Sequence, residues 1–373
     1  MSERQYQQCT RCVMDTTDPE ISFDVNGYCN HCNHYFEITS KLIYSGETAE
    51  ARLDPVIKKI KSAGKNSKYD CLIGISGGVD SCYTAYVAKK LGLRVLTAHM
   101  DNGWDSESAV KNIKYIVNKL DLDYESYVLD WEEFRDLQLS FLKASVPEAE
   151  TPTDIAILAA LHKIAAKYNI KHIISGGNYA TEGILPKGWH YDAKDLKYLK
   201  SIQKKFGSHK LKSFPTFSFL LEFYYKFFRR IRIIYLLNFL PYSKKDAKEL
   251  LEKELDWKYY GGKHHESFYT KFIQSYLLYE KFGIDYRRAT YSTMICTGEM
   301  TREDALNEIL NNMPYNNLKI EEDIDYLCKK LEISKEEFKN IMSLKPKFFY
   351  NYPNNKFFLE FIYKTYRCLK KNT

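Results

Sequence analysis

Short apolar runs alternate with amphipathic patterns through the first half of the chain. Strand-like apolar runs are predicted at residues 69–75, 94–100, 124–129 and 171–175. Apolar residues at helical spacing predict helices at 81–91, 106–120, 131–142 and 154–168, the last with Thr153 as its N-cap. Strict alternation of this kind predicts right-handed crossovers and a mainly parallel sheet that binds ligands at the carboxyl ends of its strands. The expected fold class is therefore α/β.

The strand pattern fades beyond Gly176, and the rest of the chain is expected to be mostly helical. Helices are predicted at 192–205, 217–239, 244–255, 270–282, 302–311, 320–331 and 335–343. Segment 217–240 is the most apolar, but its charged residues exclude a bilayer span, so we favour a buried or partner-facing helix over a membrane-surface helix. These changes in the residue pattern along the chain predict an N-terminal module at 1–50, a nucleotide domain at 51–190 and a helical substrate or partner region at 191–373.

Four of the nine cysteines lie close together near the start of the chain. Cys9, Cys12, Cys29 and Cys32 form two Cys-x2-Cys pairs. Two such pairs can surround Zn²⁺ with four thiolates and leave no open coordination position, so the sequence predicts a structural zinc site. An iron-sulfur cluster has compatible spacing, and free thiols or a redox pair are the remaining alternatives.

A glycine-rich loop lies between the first predicted strand and its helix. It consists of Ser76, Gly77, Gly78, Val79, Asp80 and Ser81. Paired glycines let the backbone approach an anion, while free N–H groups and a helix N-terminus supply positive potential. The loop lacks the lysine of a Walker A motif. A phosphate cradle is predicted here, and an ordinary Gly-Gly turn is the alternative.

The loop resembles the pyrophosphatase-loop (PP-loop) signature of enzymes similar to GMP synthetase, NAD synthetase, asparagine synthetase and the tRNA thiolases. This resemblance implies an adenine-nucleotide alpha-hydrolase-like (HUP) fold that cleaves ATP to AMP and pyrophosphate and adenylates a substrate oxygen. It also implies a catalytic role for Asp80 on the Mg²⁺ or pyrophosphate side and a cofactor-binding role for Asp101, although Asp101 also suits a simple turn. A second loop, SGGNYATEG, is similar to one beside the nucleotide in NAD-synthetase-like enzymes. It implies cofactor-binding roles for Gly177, Asn178, Thr181 and Glu182.

The segment WKYYGGKHHES concentrates charge-stabilising groups in the second half. Lys263 could neutralise a phosphate or an oxyanion, and His264 could act in acid-base catalysis. A capping segment with solvated charges is the alternative. A further short run at 187–191 offers Lys187, Trp189, His190 and Tyr191 as candidate sugar contacts, with core or loop packing as the alternative.

The four-cysteine module, SGGVDS, WKYYGGKHHES and TGEMTREDA together resemble the N-acetyl sugar amidotransferases of bacterial surface-glycan pathways. The resemblance covers nearly the whole chain. It implies that ATP activates an acetamido carbonyl of a nucleotide-linked sugar and that ammonia replaces the oxygen, leaving an acetamidino group, as in O-antigen or pseudaminic acid synthesis. It also implies a separate glutaminase with a cyclase-like companion as the source of ammonia, because no glutaminase nucleophile motif occurs in this chain.

Composition limits the remaining alternatives. The chain has 373 residues, with 45% hydrophobic and 28% charged residues and a net charge of +7, which is typical of a folded domain and too mild to indicate nucleic-acid binding. We expect a cytoplasmic protein with no transmembrane segment and no nucleic-acid partner; a homodimer is an open alternative. The rival functions are a tRNA thiolase that moves sulfur and a non-catalytic zinc scaffold that binds AMP as a regulatory ligand.

Overall fold

Five parallel strands form one sheet in the computed structural model of the chain, which describes residues 5–42, 47–261 and 266–371. The strands are β1 (Cys71–Gly74), β2 (Val95–Asp101), β3 (Asp123–Val128), β4 (His172–Ser175) and β5 (Arg232–Tyr235). Their spatial order is β3-β2-β1-β4-β5, and every neighbouring pair is parallel. The chain leaves β1 for β2 on one side and returns to β4 on the other, so the phosphate loop after β1 lies where the strand order reverses.

Helices cover the sheet and build the rest of the protein. In the first half they are α1 (Asn30–Leu42), α2 (Glu47–Gly64), α3 (Val79–Lys90), α4 (Glu107–Lys119), α5 (Trp131–Ala144), α6 (Thr151–Lys167) and α7 (Tyr179–Glu182). In the second half they are α8 (Leu196–Phe206), α9 (Phe219–Phe223), α10 (Lys244–Leu255), α11 (Phe268–Phe272), α12 (Leu278–Phe282), α13 (Arg287–Thr297), α14 (Arg302–Asn311), α15 (Ile320–Leu331), α16 (Lys335–Ser343) and α17 (Lys356–Lys371). The prediction of a parallel α/β fold with a helical C-terminal region is confirmed.

Side chains of the central strand alternate between two buried faces. Ile73 packs with apolar residues of α2, α3, α4 and α10, whereas Leu72 packs on the opposite face with Ile164 and Ala165 of α6. Burial of both faces explains why β1 is a continuous apolar run rather than an alternating one. The outer strands β3 and β5 are largely exposed, as expected for sheet edges.

The prediction of one long helix at 217–239 is wrong. The segment forms α9 and a π-helical turn at Tyr224–Phe228, and then becomes β5, which pairs with β4. Arg230 at φ +58° ends the helical part and redirects the chain into the strand. The sheet thus takes its last strand from the region predicted to be helical, and the domain division at residues 50 and 190 stays a prediction.

Two smaller features also concern the predicted helices. Helix α6 begins at Thr151 with Glu150 in the N-cap position, so Thr153 lies inside the first turn and the N-cap prediction is wrong. Among the described residues, no helix has both the length and the apolar character needed to cross a bilayer.

The N-terminal module shares one hydrophobic core with the helical region. Met14, Ile21 and Tyr35 of the module belong to the same buried cluster as residues of α5, α8, α11, α13, α15 and α16. The module is therefore packed into the protein, and its cysteines lie within the same continuous cluster as the helices.

Two carboxylates of α5 hold the connection between α8 and α9. Glu133 accepts backbone N–H groups from Lys212, Ser213 and Phe214 at 2.9–3.1 Å, and Asp136 accepts those of Ser208 and His209 at 2.9–3.0 Å. Burial raises the pKa of Glu133, but hydrogen bonds from these backbone N–H groups outweigh it, so the pKa is lowered overall.

We predict that Glu133→Gln lowers the free energy of unfolding by about 2 kcal/mol at neutral pH, since the variant loses bonds to a charged acceptor. Because the folded-state pKa is lowered, this contribution is present above the unfolded pKa of about 4.3 and disappears as pH falls through the folded pKa. Denaturant titrations at several pH values test this. The matched control is Glu132→Gln, which alters an exposed carboxylate one residue away; an equal loss in both variants would contradict the account.

Candidate active site

The loop after β1 is closed by hydrogen bonds between its two serines. The Ser76 and Ser81 hydroxyls lie 3.2 Å apart, and the Ser81 hydroxyl also donates to the Gly78 carbonyl at 3.1 Å. The Gly78 N–H points to the Ser76 hydroxyl at 3.3 Å. Gly78 is the N-cap of α3, so the positive end of that helix opens onto the loop.

Gly77 is a position in the loop at which only glycine fits without strain. Its φ is +82°, and a Cβ there would lie 2.5 Å from the Ala109 carbonyl oxygen. The Gly77 carbonyl faces away from the loop interior, where it accepts the Trp257 indole N–H at 2.8 Å and the Asn112 amide at 3.4 Å. Asn112 also pairs with the backbone of Lys258 through bonds of 2.8 and 2.9 Å. A segment of the second half therefore fixes the loop.

The loop after β4 closes the other side of the site. A Cβ on Gly176 would lie 2.9 Å from the Ser81 nitrogen, so Gly176 permits the two loops to touch. The Asn178 side chain caps α7 by accepting the Thr181 N–H at 2.9 Å, and it donates to the Gly176 carbonyl at 3.2 Å. Asn178 and Thr181 therefore shape this loop, while Gly177 and Glu182 face the space between the loops.

A pocket of about 600 Å³, including its open mouth, lies between these loops. Its walls are formed by Ser76, Gly78, Val79, Asp80, Ser81, Gly176, Gly177, Glu182, Lys244, Tyr260 and Glu266. The walls combine hydroxyls, one cation and several carboxylates. Oxygen-rich walls of this kind suit a polyphosphate accompanied by a hard cation such as Mg²⁺.

Asp80 is one of the carboxylates in the pocket wall. It accepts a hydrogen bond from the Tyr242 hydroxyl, whose pKa is raised by burial and by the Asp80 charge. Glu299 lies nearby: burial raises its pKa, Lys244 lowers it and Asp80 adds a further rise. Lys244, at the start of α10, therefore compensates part of the negative charge around Asp80.

Glu266 reaches the pocket because its segment is joined to the loop after β2. The Ser106 N–H donates to the Glu266 carbonyl at 2.8 Å, and the Phe268 N–H donates to the Trp104 carbonyl at 2.9 Å. Burial and the Glu266 carboxylate together raise the pKa of Tyr260, which keeps that hydroxyl protonated as a donor. Tyr260 and Glu266 together place a hydrogen-bond donor and a carboxylate opposite Gly78.

Three of the residues predicted for the site are not among those that line this pocket. Asp101 lines a separate recess with Trp131 and Lys330, and its carboxylate accepts the Gly103 N–H at 2.9 Å, as in a simple turn. Lys263 and His264 lie outside the described residues. The cofactor role of Asp101 and the catalytic roles of Lys263 and His264 therefore stay predictions.

Lys244, Tyr242, Tyr260 and Trp257 were not predicted to belong to the site, and Glu266 was predicted only as one of the charge-stabilising groups of its segment. Glu266 and Tyr260 belong to the WKYYGGKHHES motif, so the motif marked the correct segment. Lys244 and Tyr242 stand in an ordinary helix start whose position beside the loop depends on long-range packing. No local pattern could have revealed that proximity.

The four N-terminal cysteines converge on one point. Cys9, Cys12, Cys29 and Cys32 are fully buried, and their sulfur atoms all lie within 4.8 Å of one another. The Cys9–Cys32 and Cys12–Cys29 sulfur distances are 3.8 and 3.5 Å. Backbone N–H groups of Cys12 and Cys29 point at the Cys9 sulfur at 3.4 and 3.2 Å, which favours thiolate. These four residues could hold a metal ion.

Arginines from the C-terminal region hold the cysteine module in place. Arg302 donates to the Cys9 and Cys12 carbonyls at 2.9 and 3.1 Å, and Arg288 donates to the Val13 carbonyl at 2.8 Å and to Asp15 at 2.9 Å. Arg302 belongs to the TGEMTREDA motif, which also contains Glu299. That motif thus links the cysteine module to the charged pocket.

Two segments of the chain match known family models. Residues 66–181 match the model of the thiamine biosynthesis protein ThiI, and residues 266–369 match that of the C-terminal domain of WbpG-like LPS biosynthesis proteins. The chain therefore combines a segment similar to ThiI, which contains the loop after β1, with a segment similar to the C-terminal domain of WbpG-like proteins.

Two curated relatives match about a third of the chain. The chain is 30% identical over 153 residues to the probable mitochondrial tRNA-specific 2-thiouridylase 1 of Caenorhabditis elegans, covering 36% of this chain and 39% of the relative. It is 26% identical over 141 residues to the tRNA-specific 2-thiouridylase MnmA 2 of Fusobacterium nucleatum, covering 34% and 41%. The chain thus spans about two fifths of the length of these relatives.

Solved structures show more distant similarity. The NH3-dependent NAD synthetase of Campylobacter jejuni shares 17% identity over 42% of this chain and 72% of its own, with a TM-score of 0.28. The U34-tRNA thiolase NcsA of Methanococcus maripaludis, solved with its 4Fe-4S cluster, shares 14% identity over 81% and 89%, with a TM-score of 0.34.

We predict that Gly77→Ala weakens ATP binding by tenfold or more, because the added Cβ meets the Ala109 backbone and shifts the loop. Gly283→Ala is the matched control, since Gly283 also has positive φ, +66°, but open space around it. The control should lose only about 1 kcal/mol of stability and keep its ATP affinity. Titration with ATP checks both variants, and equal affinities would contradict the steric argument.

Proposed function

We propose that the protein is an ATP-dependent amidotransferase that converts the acetamido group of a nucleotide-linked N-acetyl sugar into an acetamidino group, in surface-glycan synthesis. The observation that carries the proposal is the meeting of two segments in one pocket. Glu266, the first residue of the WbpG-like segment, lies against Gly78 of the phosphate loop. The segment related to LPS biosynthesis therefore forms part of the nucleotide pocket's wall.

The reaction requires activation because an amide carbonyl is a poor electrophile. The acetamido oxygen attacks the α-phosphorus of ATP, the bond to pyrophosphate breaks, and the oxygen becomes part of an adenylate. Ammonia then attacks the carbon, and AMP leaves with the original oxygen, so the product is an amidinium ion. Water attacking in place of ammonia would return the amide, so the enzyme must exclude water and position both reactants.

The described residues suit these tasks. Loop N–H groups, the Ser76 and Ser81 hydroxyls and the N-terminus of α3 offer donors for phosphate oxygens. Lys244 offers a cation for the departing pyrophosphate. Asp80, Glu182 and Glu266 are the candidate Mg²⁺ ligands; bound there, the ion would neutralise phosphate charge.

Zinc is the metal we propose for the cysteine module. Four sulfurs about 2.3 Å from a tetrahedral Zn²⁺ lie about 3.8 Å from one another. The 3.5 and 3.8 Å sulfur separations fit that geometry, whereas a four-iron cluster would hold its cysteine sulfurs farther apart. With four protein ligands the ion would be structural, and it would hold the module against Arg302 and the pocket.

Ammonia would come from a separate glutaminase with a cyclase-like companion. This partner follows from the resemblance to sugar amidotransferases. A nucleotide-linked sugar as acceptor and the absence of a nucleic-acid partner belong to the same proposal.

A tRNA thiolase is the second candidate function, because the curated relatives are named as tRNA thiouridylases. Thiolation needs a reactive sulfur carrier near the loop. Cys82 is fully buried in α3, and burial raises its pKa, which makes the thiol unreactive. Cys296 lies near the cysteine module, and burial raises its pKa to about 12. The described cysteines therefore favour amidation over thiolation.

We predict that ATP, ammonium salt and a UDP- or CMP-linked N-acetyl sugar together give sugar-dependent pyrophosphate release. Asp80→Asn should reduce that release on the order of a hundredfold, since it removes a charge from the pocket wall. Glu132→Gln serves as the folded control with full activity. Release that depends on tRNA and ignores sugars would support thiolation instead and contradict the proposal.

We further predict that the purified protein contains one zinc per chain and that Cys12→Ser loses it, with a drop in thermal stability, because a structural site contributes folding free energy. Cys328→Ser is the control, since Cys328 is also buried but lies in α15, outside the cluster. Elemental analysis measures both. Iron with acid-labile sulfide, or folded wild-type protein without zinc, would contradict the assignment.

A further inference from the structure

Helix α9 and the π-helical turn that follows it present an apolar face to solvent. The exposed residues recur at helical spacing and are Leu220, Phe223, Tyr224, Phe227 and Phe228. The rings of Phe223 and Phe227 lie 4.5 Å apart, and those of Tyr224 and Phe228 lie 6.0 Å apart. Contacts between neighbouring turns therefore join these five side chains into one surface, called the aromatic face below.

The opposite side of the same helical segment holds it on the protein. Leu221 and Tyr225 pack against the large buried cluster, and the Tyr225 ring lies 6.1 Å from that of buried Phe217. At the end of the segment, the Arg229 guanidinium donates to the Ala166 carbonyl at 2.6 Å. The aromatic face is thus the outer side of a packed segment, and its exposure belongs to the folded structure.

Basic side chains border the aromatic face. The Lys226 ammonium lies 6.0 Å and the Arg232 guanidinium 5.7 Å from the centre of the Phe227 ring. The Arg232 guanidinium also donates to the Lys226 carbonyl at 2.6 Å, which ties the helical turn to the start of β5. Arg230, between the turn and the strand, is exposed as well. Cations and exposed aromatic rings therefore occupy the same part of the surface.

Charge and shape together indicate what covers this surface. The carboxylate of Glu222 on α9 pairs with Lys194 at 3.0 Å, so the border keeps an excess of positive charge that an anionic surface complements. Leu220 and Phe228 are 75% and 71% exposed, so they protrude from the protein. Protruding apolar side chains insert into the acyl boundary of a bilayer without a matching pocket, whereas a folded protein partner must supply one for each.

A second copy of the chain fits the aromatic face less well. In a two-fold dimer the same patch meets itself, so Lys226, Arg230 and Arg232 of one copy would face the same three cations of the other. Like charges brought together across an interface weaken association. Anionic lipid headgroups face the same cations with the opposite charge.

We propose that the aromatic face docks the protein on a lipid surface that contains anionic headgroups, with its apolar side chains at the acyl boundary and the basic side chains at the phosphates. The sequence pattern favoured a buried or partner-facing helix here over a membrane-surface helix, and the exposed face supports the second of these. Docking of this kind needs no spanning helix. It is also independent of the amidotransferase reaction proposed above.

Docking would bring the nucleotide pocket close to the membrane. Strand β5 begins at Arg232, beside the aromatic face, and ends at Tyr235, whose ring carbon lies 3.4 Å from the position of a Cβ on Gly177. Gly177 lines the pocket. Because four residues of strand span about 13 Å, one short element of the sheet joins the aromatic face to the pocket wall. The pocket would therefore work near the lipid surface.

Co-sedimentation of the full-length protein with vesicles tests the proposal. One set of vesicles contains equal parts of phosphatidylglycerol and phosphatidylcholine, and the other contains phosphatidylcholine alone. A first variant combines Leu220→Gln with Phe228→Gln and removes two protruding apolar side chains. A second variant combines Lys226→Gln with Arg232→Gln and removes two cations. Both are measured at low and at high salt.

Each variant has a control that makes the same change elsewhere on the surface. Leu310→Gln with Leu318→Gln matches the first variant, since these leucines are 77% and 92% exposed and lie on α14 and just before α15. Lys329→Gln with Lys339→Gln matches the second variant, because these exposed lysines lie on α15 and α16 and their loss changes the net charge equally.

We expect the unmodified protein to bind the anionic vesicles, about tenfold more tightly than phosphatidylcholine alone, and to bind them less tightly at high salt. Each face variant should lose about tenfold in affinity for the anionic vesicles, while its control keeps the affinity of the unmodified protein. Melting temperatures should match within each pair. The single variants Leu220→Gln and Phe228→Gln should each lose about threefold, which separates lost binding from a damaged fold.

Three results would overturn the proposal. Failure of the unmodified protein to bind anionic vesicles would leave a protein as the occupant of the aromatic face. Equal affinities of the face variants and their controls would place any membrane contact elsewhere. A dimer in the absence of vesicles that the face variants, but not the controls, convert to monomer would assign the face to a second copy of the chain.

Discussion

The hydrogen bonds that Trp257 and Asn112 donate to the Gly77 carbonyl are the constraint on which the site depends. A loop that binds polyphosphate must turn its N–H groups inward, and its carbonyls must then find donors elsewhere. Here Trp257 and Asn112 supply those donors, and Ala109 leaves no room for a side chain at position 77. Trp257 lies far along the chain from the loop, so the second half of the chain helps to hold the loop in its conformation.

The same dependence links the cysteine module to the chemistry. Arg302 holds the backbone of the first cysteine pair, and Glu299, three residues before it, faces Asp80 and Lys244. A metal that stiffens the module would therefore also fix one end of the segment that contributes charge to the pocket. The proposed structural metal would thus act on the proposed reaction only by positioning this segment, because the four cysteines lie outside the charged pocket.

Much of the fold followed from local pattern, whereas much of the site did not. Strands β1 and β4 are apolar runs between turns, and the phosphate loop and cysteine pairs carry their chemistry in adjacent residues, so the sequence alone located them. Strand β5 was missed because its bulky residues continue an aromatic, basic helical pattern, and the end of the helix depends on Arg230 adopting positive φ. Lys244 was given no role, and Glu266 was not predicted to lie at the loop, because only tertiary packing brings these two residues there.

The central claim is that the acetamido oxygen of a sugar is the atom that attacks ATP. The most direct measurement uses an N-acetyl sugar nucleotide whose acetamido carbonyl carries a heavy oxygen isotope, incubated with ATP, ammonium and the protein, followed by mass spectrometry of the AMP formed. The account predicts that AMP acquires the heavy oxygen as the acetamidino sugar appears. Formation of the acetamidino sugar with unlabelled AMP, or AMP formation with the label still on the sugar, would contradict it.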